Sequence, residues 1–225
     1  LAPGDTYVNA DFGYQPAASG DISGTVWLDA NADQSQTSEP GLAGVTVNLI
    51  QDANGNGVWD AGELIIATDI TDGSGDYTFP GLPIADGAGT DDYLVWVGDA
   101  ANILLGLEGT YDSDGTAPVT GTATGLGISS VQNLDAAGNS IQDFGYTPIG
   151  HDSGDGFIGD TIYLDIDGLG SQGATEPGIQ GVEVQLWDVA GTTQLATTVT
   201  NANGEYFFGN LDATVILSGP KLAPH

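Results

Sequence analysis

An all-β protein built on two-sheet sandwiches is the fold class this sequence predicts, on three observations. Apolar residues alternate over short runs rich in β-branched side chains, as at Val45, Val47 and Leu49 and again at Val182, Val184 and Leu186. No segment of the 225 residues sustains a helical period, and 36 glycines divide the chain into short pieces. One string of motifs also occurs twice.

The repetition is specific. ISGTVWLD at 22–29 returns as IGDTIYLD at 158–165, and EPGLAGVTVNLI at 39–50 as EPGIQGVEVQLW at 176–187. ATDITDGSGDYTFPGL at 67–82 returns as ATTVTNANGEYFFGNL at 196–211, and ADFGYQP at 10–16 as QDFGYTP at 142–148. Each strand pattern has one apolar face: Val26 and Leu28 match Ile162 and Leu164, which suits a strand buried on one side of a sandwich. Tyr77 and Phe79, like Tyr206 and Phe208, follow a glycine-containing turn and are expected in or near the core. Trp27, Trp59, Trp96 and Trp187 read as packing or surface residues rather than a ligand platform.

The connection at 52–63, DANGNGVWDAGE, is spaced as a twelve-residue calcium loop. Asp52, Asn54 and Asn56 hold its first, third and fifth positions, and Gly57 the sixth, where a sharp turn is needed. Val58 offers a carbonyl from the seventh, Asp60 stands at the ninth, and Glu63 closes the loop as a bidentate carboxylate. A hard divalent cation takes six to eight oxygens at roughly 2.3–2.6 Å, which this spacing can wrap around one point. The other reading is an acidic Gly/Asn turn without metal. The flanks, Val45 to Ile50 and Leu64 to Thr68, read as strands and not helices. A hairpin has little to swing, so a bound ion is expected to stiffen rather than to signal.

The second copy has only residues 188–193 at this point, an ordinary hairpin turn, so the long loop belongs to the first copy alone. A further acidic loop precedes each EPG: Asp29, Asn31, Asp33 and Glu39 in the first copy, Asp165, Asp167 and Glu176 in the second. Each fits a second calcium site or a solvated acidic loop. Asp86, Asp91, Asp92, Asp112 and Asp114 are further acids that could complete a site from the side, though singly each suits a turn. His151, beside Asp152 and Asp155, is expected to be exposed.

The formal net charge is −30, from 31 acidic residues against one basic one. Such a chain repels nucleic acid and anionic membranes, and repels itself unless cations occupy its acidic clusters. Ca2+ is the expected counter-charge, although a high-salt habitat also selects acidic surfaces. With no cysteine, stability comes from packing and metal rather than disulfides. Two histidines, no cysteine nucleophile and no acid–base pair better explained as catalytic than as metal-binding argue against an enzyme. Calcium loops of moderate affinity place the protein outside the cell.

WLDANAD, EPGLAGVTVNL, the 52–63 loop, GDYTFPGL, YDSDG and DFGY together resemble the B-type repeats of serine-aspartate-repeat surface adhesins, the SdrD B-like domains, which are relatives of collagen-adhesin B domains. The resemblance implies tandem prealbumin-like Greek-key β-sandwich domains, several calcium ions per repeat and a stalk role on a cell-surface protein. It places ligands on Asp29, Asn31, Asp33, Glu39, Asp52, Asn54, Asn56, Asp60 and Glu63, and in the second copy on Asp165, Asp167 and Glu176. Some relatives carry a Lys–Asn cross-link; Lys221 is the sole basic residue, so the first copy forms none.

The expected organisation is a terminal strand at 1–16, a complete repeat at 17–148, and a second repeat at 149–225 that lacks its closing strand. An open sandwich leaves an unpaired edge, which a free strand satisfies. One expectation is that residues 1–16 of one copy complete the 151–225 domain of the next, a head-to-tail contact that builds a filament. The other is that the sequence is cut from a longer array, whose further repeats complete it in cis. The leading function is thus a calcium-stiffened extracellular stalk or fibre subunit. An adhesive, ligand-binding module of a surface protein is the alternative, and an accessory domain of a secreted enzyme a third.

Overall fold

In the computed structural model of the chain, residues 19–84, 91–113, 128–132, 134, 139–211 and 221–224 are described; the ADFGYQP segment, Asp86 and Asp114 lie outside them. The described residues are all-β. The strands are β1 (Ser19–Leu28), β2 (Thr46–Gln51), β3 (Ile65–Ile70), β4 (Asp76–Pro83), β5 (Asp91–Val97), β6 (Leu107–Asp112), β7 (Ile128–Gln132), β8 (Asn139–Ile141) and β9 (Phe144–Pro148). They continue as β10 (Gly156–Thr161), β11 (Glu183–Trp187), β12 (Gln194–Val199), β13 (Glu205–Leu211) and β14 (Lys221–Pro224).

The first nine strands form two sheets. One has the order β4-β1-β9-β6, with β8 also against β1, and the other β3-β2-β5-β7. The chain changes sheet after β1, β3, β4, β5, β6 and β7, which is Greek-key connectivity rather than a meander. Val26, Tyr77, Phe79, Phe144 and Tyr146 from the first sheet meet Val47, Leu49, Tyr93, Val95 and Val97 from the second in one buried cluster. The alternation in the sequence is this inner face. β9 runs parallel to β1, with Val26 opposite Phe144, Trp27 opposite Gly145 and Leu28 opposite Tyr146. Trp27 lies so close to β9 that a Cβ on Gly145 would fall 2.7 Å from the indole ring.

One expectation needs correction. β2 is buried on both faces, because Asn48 and Ile50 are enclosed as well as Val47 and Leu49. Leu94 and Trp96 of β5 share this outer face by alternation, and Trp59 of the 52–63 loop stacks on Trp96 at 4.8 Å between centroids. The loop folds back over its own sheet, so the outer face of β2 is covered while β3 stays largely exposed.

The second copy builds a smaller cluster from Val184, Leu186, Tyr206, Phe208 and Leu211. Here β10 pairs with β13, and β11 lies between β12 and β14. The correspondence with the first copy extends to single bonds. Val26 N–H donates to Gly75 O and Ile162 N–H to Gly204 O; Thr71 Oγ1 donates to Leu42 O and Thr200 Oγ1 to Ile179 O. β1 and β10 even carry a register shift at the same place, before Ile22 and before Ile158. The shared glycines have a steric cause: a Cβ on Gly41 would lie 1.7 Å from Ser74 O, and one on Gly178 would lie 1.7 Å from Asn203 O.

Residues 149–155 join the two clusters, and His151 there is buried rather than exposed. Its Nε2 stands 3.1 Å from Ala30 O, and its ring meets Phe157 edge-on at 5.5 Å. The flanking aspartates suggested a solvated linker; the linker instead turns inward because β13 packs against it.

Candidate metal centre

Three acidic loops share one construction. In loop 165–176, Asp165 accepts the N–H groups of Gly168 and Gly170 at 2.6 and 3.1 Å, which wraps the backbone around its carboxylate. Asp167 accepts Leu169 N–H at 2.9 Å. Buried Glu176 reaches back, its Oε1 accepting Ile166 N–H at 2.7 Å and its Oε2 accepting Gly173 N–H at 2.8 Å. The bond from Gly173 is the main cause that holds its carboxyl below the usual range. Asp165, Asp167 and Glu176 place carboxylate oxygens within 4.8 Å of one another, and this trio could hold a metal ion.

Loop 29–39 repeats the frame. Asp29 is fully buried, anchored by its N–H to Tyr146 O of β9, and accepts Asp33 N–H and Gln34 N–H. Glu39 Oε1 accepts Ala30 N–H at 2.8 Å, as Glu176 does with Ile166. Burial first, then the charges of Asp29 and Asp33, push the Glu39 carboxyl upward. Its Oε2 is enclosed and has no hydrogen-bond partner among the described residues. An acceptor oxygen enclosed beside two like charges is what a cation would relieve.

Loop 52–63 connects β2 to β3, an antiparallel pair in register from Thr46 opposite Ile70, so strands flank it as the sequence indicates. Asp52 gathers the N–H groups of Gly55, Asn56 and Gly57 at 2.8, 3.3 and 2.6 Å. Gly57 has φ 74°, the left-handed conformation that a sixth-position glycine supplies at least cost. Asn54 and Asn56 both donate side-chain N–H to Asp60 Oδ2, at 2.9 and 2.8 Å, and hold its carboxyl below the usual range. Glu63 closes the ring, with Oε1 on Ala53 N–H and Oε2 on Asp60 N–H. Val58 is exposed, its N–H bonded to Asn56 Oδ1.

Each loop therefore opens with an aspartate that gathers backbone N–H groups and closes with a glutamate tied back to the second residue. Oxygen-only donors suit a hard divalent cation rather than a thiophilic metal. Of the flanking acids, Asp112 is buried on β6. Sequence reasoning missed His151, which ties the 29–39 loop to the linker, and Asn201, which is fully buried. The signal for Asn201 was available: the internal repeat sets it against Asp72.

A two-sheet β-sandwich with acidic loops on its strand connections is the class of protein these features define. Residues 156–216 match the family model of the SdrD B-like domain. The chain is 35% identical over 190 residues to serine-aspartate repeat-containing protein F of Staphylococcus epidermidis, covering 84% of this chain and 10% of that protein. It is 33% identical over 190 residues to serine-aspartate repeat-containing protein C of Staphylococcus aureus (strain MRSA252), covering 84% of this chain and 18% of that one. The resemblance read from the motifs thus holds over most of the chain, which spans under a fifth of the length of these two relatives. Among solved structures it is similar to the shaft pilin SpaA of Lactobacillus rhamnosus GG, at 14% identity and TM-score 0.36 over 92% of this chain and 75% of that one. It is also similar to BcpA, the major pilin subunit of Bacillus cereus, at 18% identity and TM-score 0.31 over 58% and 30%. At such scores the architecture rests on the strands themselves.

Proposed function

We propose that this chain is a calcium-stiffened structural module of an extracellular, cell-surface protein, and not an enzyme. The observation that carries the reading is the carboxylate convergence in loop 165–176. Loops 29–39 and 52–63 repeat its backbone frame, although among the described residues their own carboxylates are not gathered into such a trio. A chain with 31 acidic residues and one basic one has almost no internal cation to balance these clusters. Asp29, Asn31, Asp33 and Glu39 would hold one ion, Asp52, Asn54, Asn56, the Val58 carbonyl, Asp60 and Glu63 a second, and Asp165, Asp167 and Glu176 a third. The ions would cross-link strand connections and remove like-charge repulsion. Among the described residues no helix is long and apolar enough to cross a membrane.

Partners follow from strand geometry. β1 has both an antiparallel neighbour, β4, and a parallel one, β9, whereas β10 pairs with β13 alone among the described residues. The Ile162, Tyr163, Leu164 edge corresponds to the edge that receives Phe144, Gly145 and Tyr146. An FGY strand, from a further repeat or from Phe12, Gly13 and Tyr14 of another copy, fits it in the same register. The test is calcium titration by calorimetry and thermal melting, with sedimentation in millimolar calcium and after chelation. Saturable binding that raises the melting temperature, with calcium-dependent association, is expected. No heat of binding and no change in melting would overturn the calcium reading. A monomer at high concentration would overturn strand donation between copies and leave a longer array in cis.

A further inference from the structure

The second copy carries a receptor surface that the first copy lacks. Asn201 lies in the turn between β12 and β13 and is fully buried. Its Oδ1 accepts the N–H groups of Asn203 and Glu205, both at 2.9 Å, which closes the turn. Its Nδ2 donates to Glu205 Oε2 at 3.0 Å and, across the joint, to Ile103 O of the first copy at 2.7 Å. Every hydrogen-bonding position of the amide is used, and one of its N–H groups crosses between the two sandwiches.

Neighbouring contacts follow the same line. Asn203 Nδ2 donates to Ala43 O at 3.3 Å, and Ala202 and Phe207 pack on the larger hydrophobic cluster. β13 presses on the linker so closely that a Cβ on Gly209 would lie 2.4 Å from Ile149 O. Gly150 N–H donates to Glu108 Oε1 at 2.6 Å, and His151 reaches Ala30 O.

The equivalent turn of the first copy has Asp72, Gly73, Ser74 and Thr78 where the second has Asn201, Ala202, Asn203 and Phe207. Asp72 builds the same turn, accepting Ser74 N–H at 2.8 Å and Asp76 N–H at 3.1 Å, yet it is exposed. A carboxylate cannot donate to a carbonyl.

We propose that the 200–205 turn is a docking surface for the 98–106 loop of the preceding sandwich, with Asn201 as the latch that sets a fixed angle between the two. An asparagine at this position locks a unit to the one before it, and an aspartate leaves that side unlocked. The two sandwiches therefore move as one rigid body, while the face bearing Asp72 takes no such joint.

The chain has no cysteine, so spin labels at Thr78→Cys and Gln194→Cys report the distance between the sandwiches without background. The full chain gives one narrow distance distribution, Asn201→Asp loses it, and Asp72→Asn leaves it unchanged. Asn201→Asp keeps both acceptor bonds of the turn, as Asp72 does, so it is expected to fold. Should it not, Asn203→Ala, which deletes only the bond to Ala43 O, decides: a broader distribution supports the latch. A broad distribution in the unaltered chain, or a narrow one in every folded joint variant, overturns it.

Discussion

The hairpins 46–70 and 183–199 have the same strand register and opposite connections. Thr46 stands opposite Ile70 as Glu183 stands opposite Val199, and both ladders shift register next to the turn, at Ile50 and at Trp187. One is joined by the twelve-residue acidic loop, the other by a turn in which Asp188 accepts Thr192 N–H at 2.7 Å. Strand pairing and the buried face therefore set the register, and the connection is free to vary. The loop also changes the sheet beneath it. Trp96, on which Trp59 stacks, stands opposite Asn48, whereas the position opposite Gln185 is Ala223. Ile50 is fully buried, while its counterpart Trp187 is only half-covered. Loop and landing site occur together in one copy and are absent together from the other.

The largest expected effect tests what the hairpins share. Gly41→Ala and Gly178→Ala each force a Cβ into a backbone carbonyl at 1.7 Å, and should cost about 3 kcal/mol or more by denaturant unfolding. Equal losses would confirm that the two copies share one frame; a tolerated alanine at either site would break it.

Next is the metal. At calcium one hundred times the dissociation constant, a site stabilises by about 2.7 kcal/mol. Glu63→Ala should abolish one binding event in calorimetry and its share of the rise in melting temperature. Asp188→Asn should leave the calcium response intact. The joint offers a second readout: because His151 meets Ala30 inside the 29–39 loop, chelation should broaden the distance between the spin labels.

Trp59→Ala tests the covered face. Ring pairs contribute about 0.5–1.5 kcal/mol beyond area burial, so a loss of that order plus the buried area is expected in urea unfolding. Trp187→Ala, with no stacked partner ring among the described residues, should lose less.

The smallest effect is at Asp188. Hydrogen bonds, chiefly from Thr192 N–H, lower its carboxyl to about 2, well below the ordinary aspartate value. A group depressed on folding stabilises above its unfolded value and loses that contribution as the pH falls through its folded one. The turn should therefore hold above about pH 4 and weaken toward pH 2. An NMR titration of the Asp188 carboxyl with a midpoint near 4 would contradict this. Glu39 goes the other way: burial first, then the charge of Asp29, raise its carboxyl, and a bound calcium ion should bring it back down.

Much of this was legible because it is periodic or local. Alternation at Val45, Val47 and Leu49 named the inner face of β2, and the spacing from Asp52 to Glu63 located a loop whose backbone does wrap around its first carboxylate. What escaped is non-local. The burial of Asn48 and Ile50 depends on a loop folding back, His151 is buried beside Ala30 and Phe157, and Asn201 is recognised only from what lies across the joint.

The sequence by itself determined the all-β class, the internal repeat, the strongly acidic charge and the acidic loops in which the candidate ligands stand. These follow from composition and from periods of two, which act within a strand or a turn. Only the tertiary structure decided which carboxylates converge, which face of β2 has a second cover and how one sandwich sits on the next. Those outcomes depend on contacts between residues far apart in the chain, such as Asn201 with Ile103 and Asn203 with Ala43, which no local pattern of the sequence specifies.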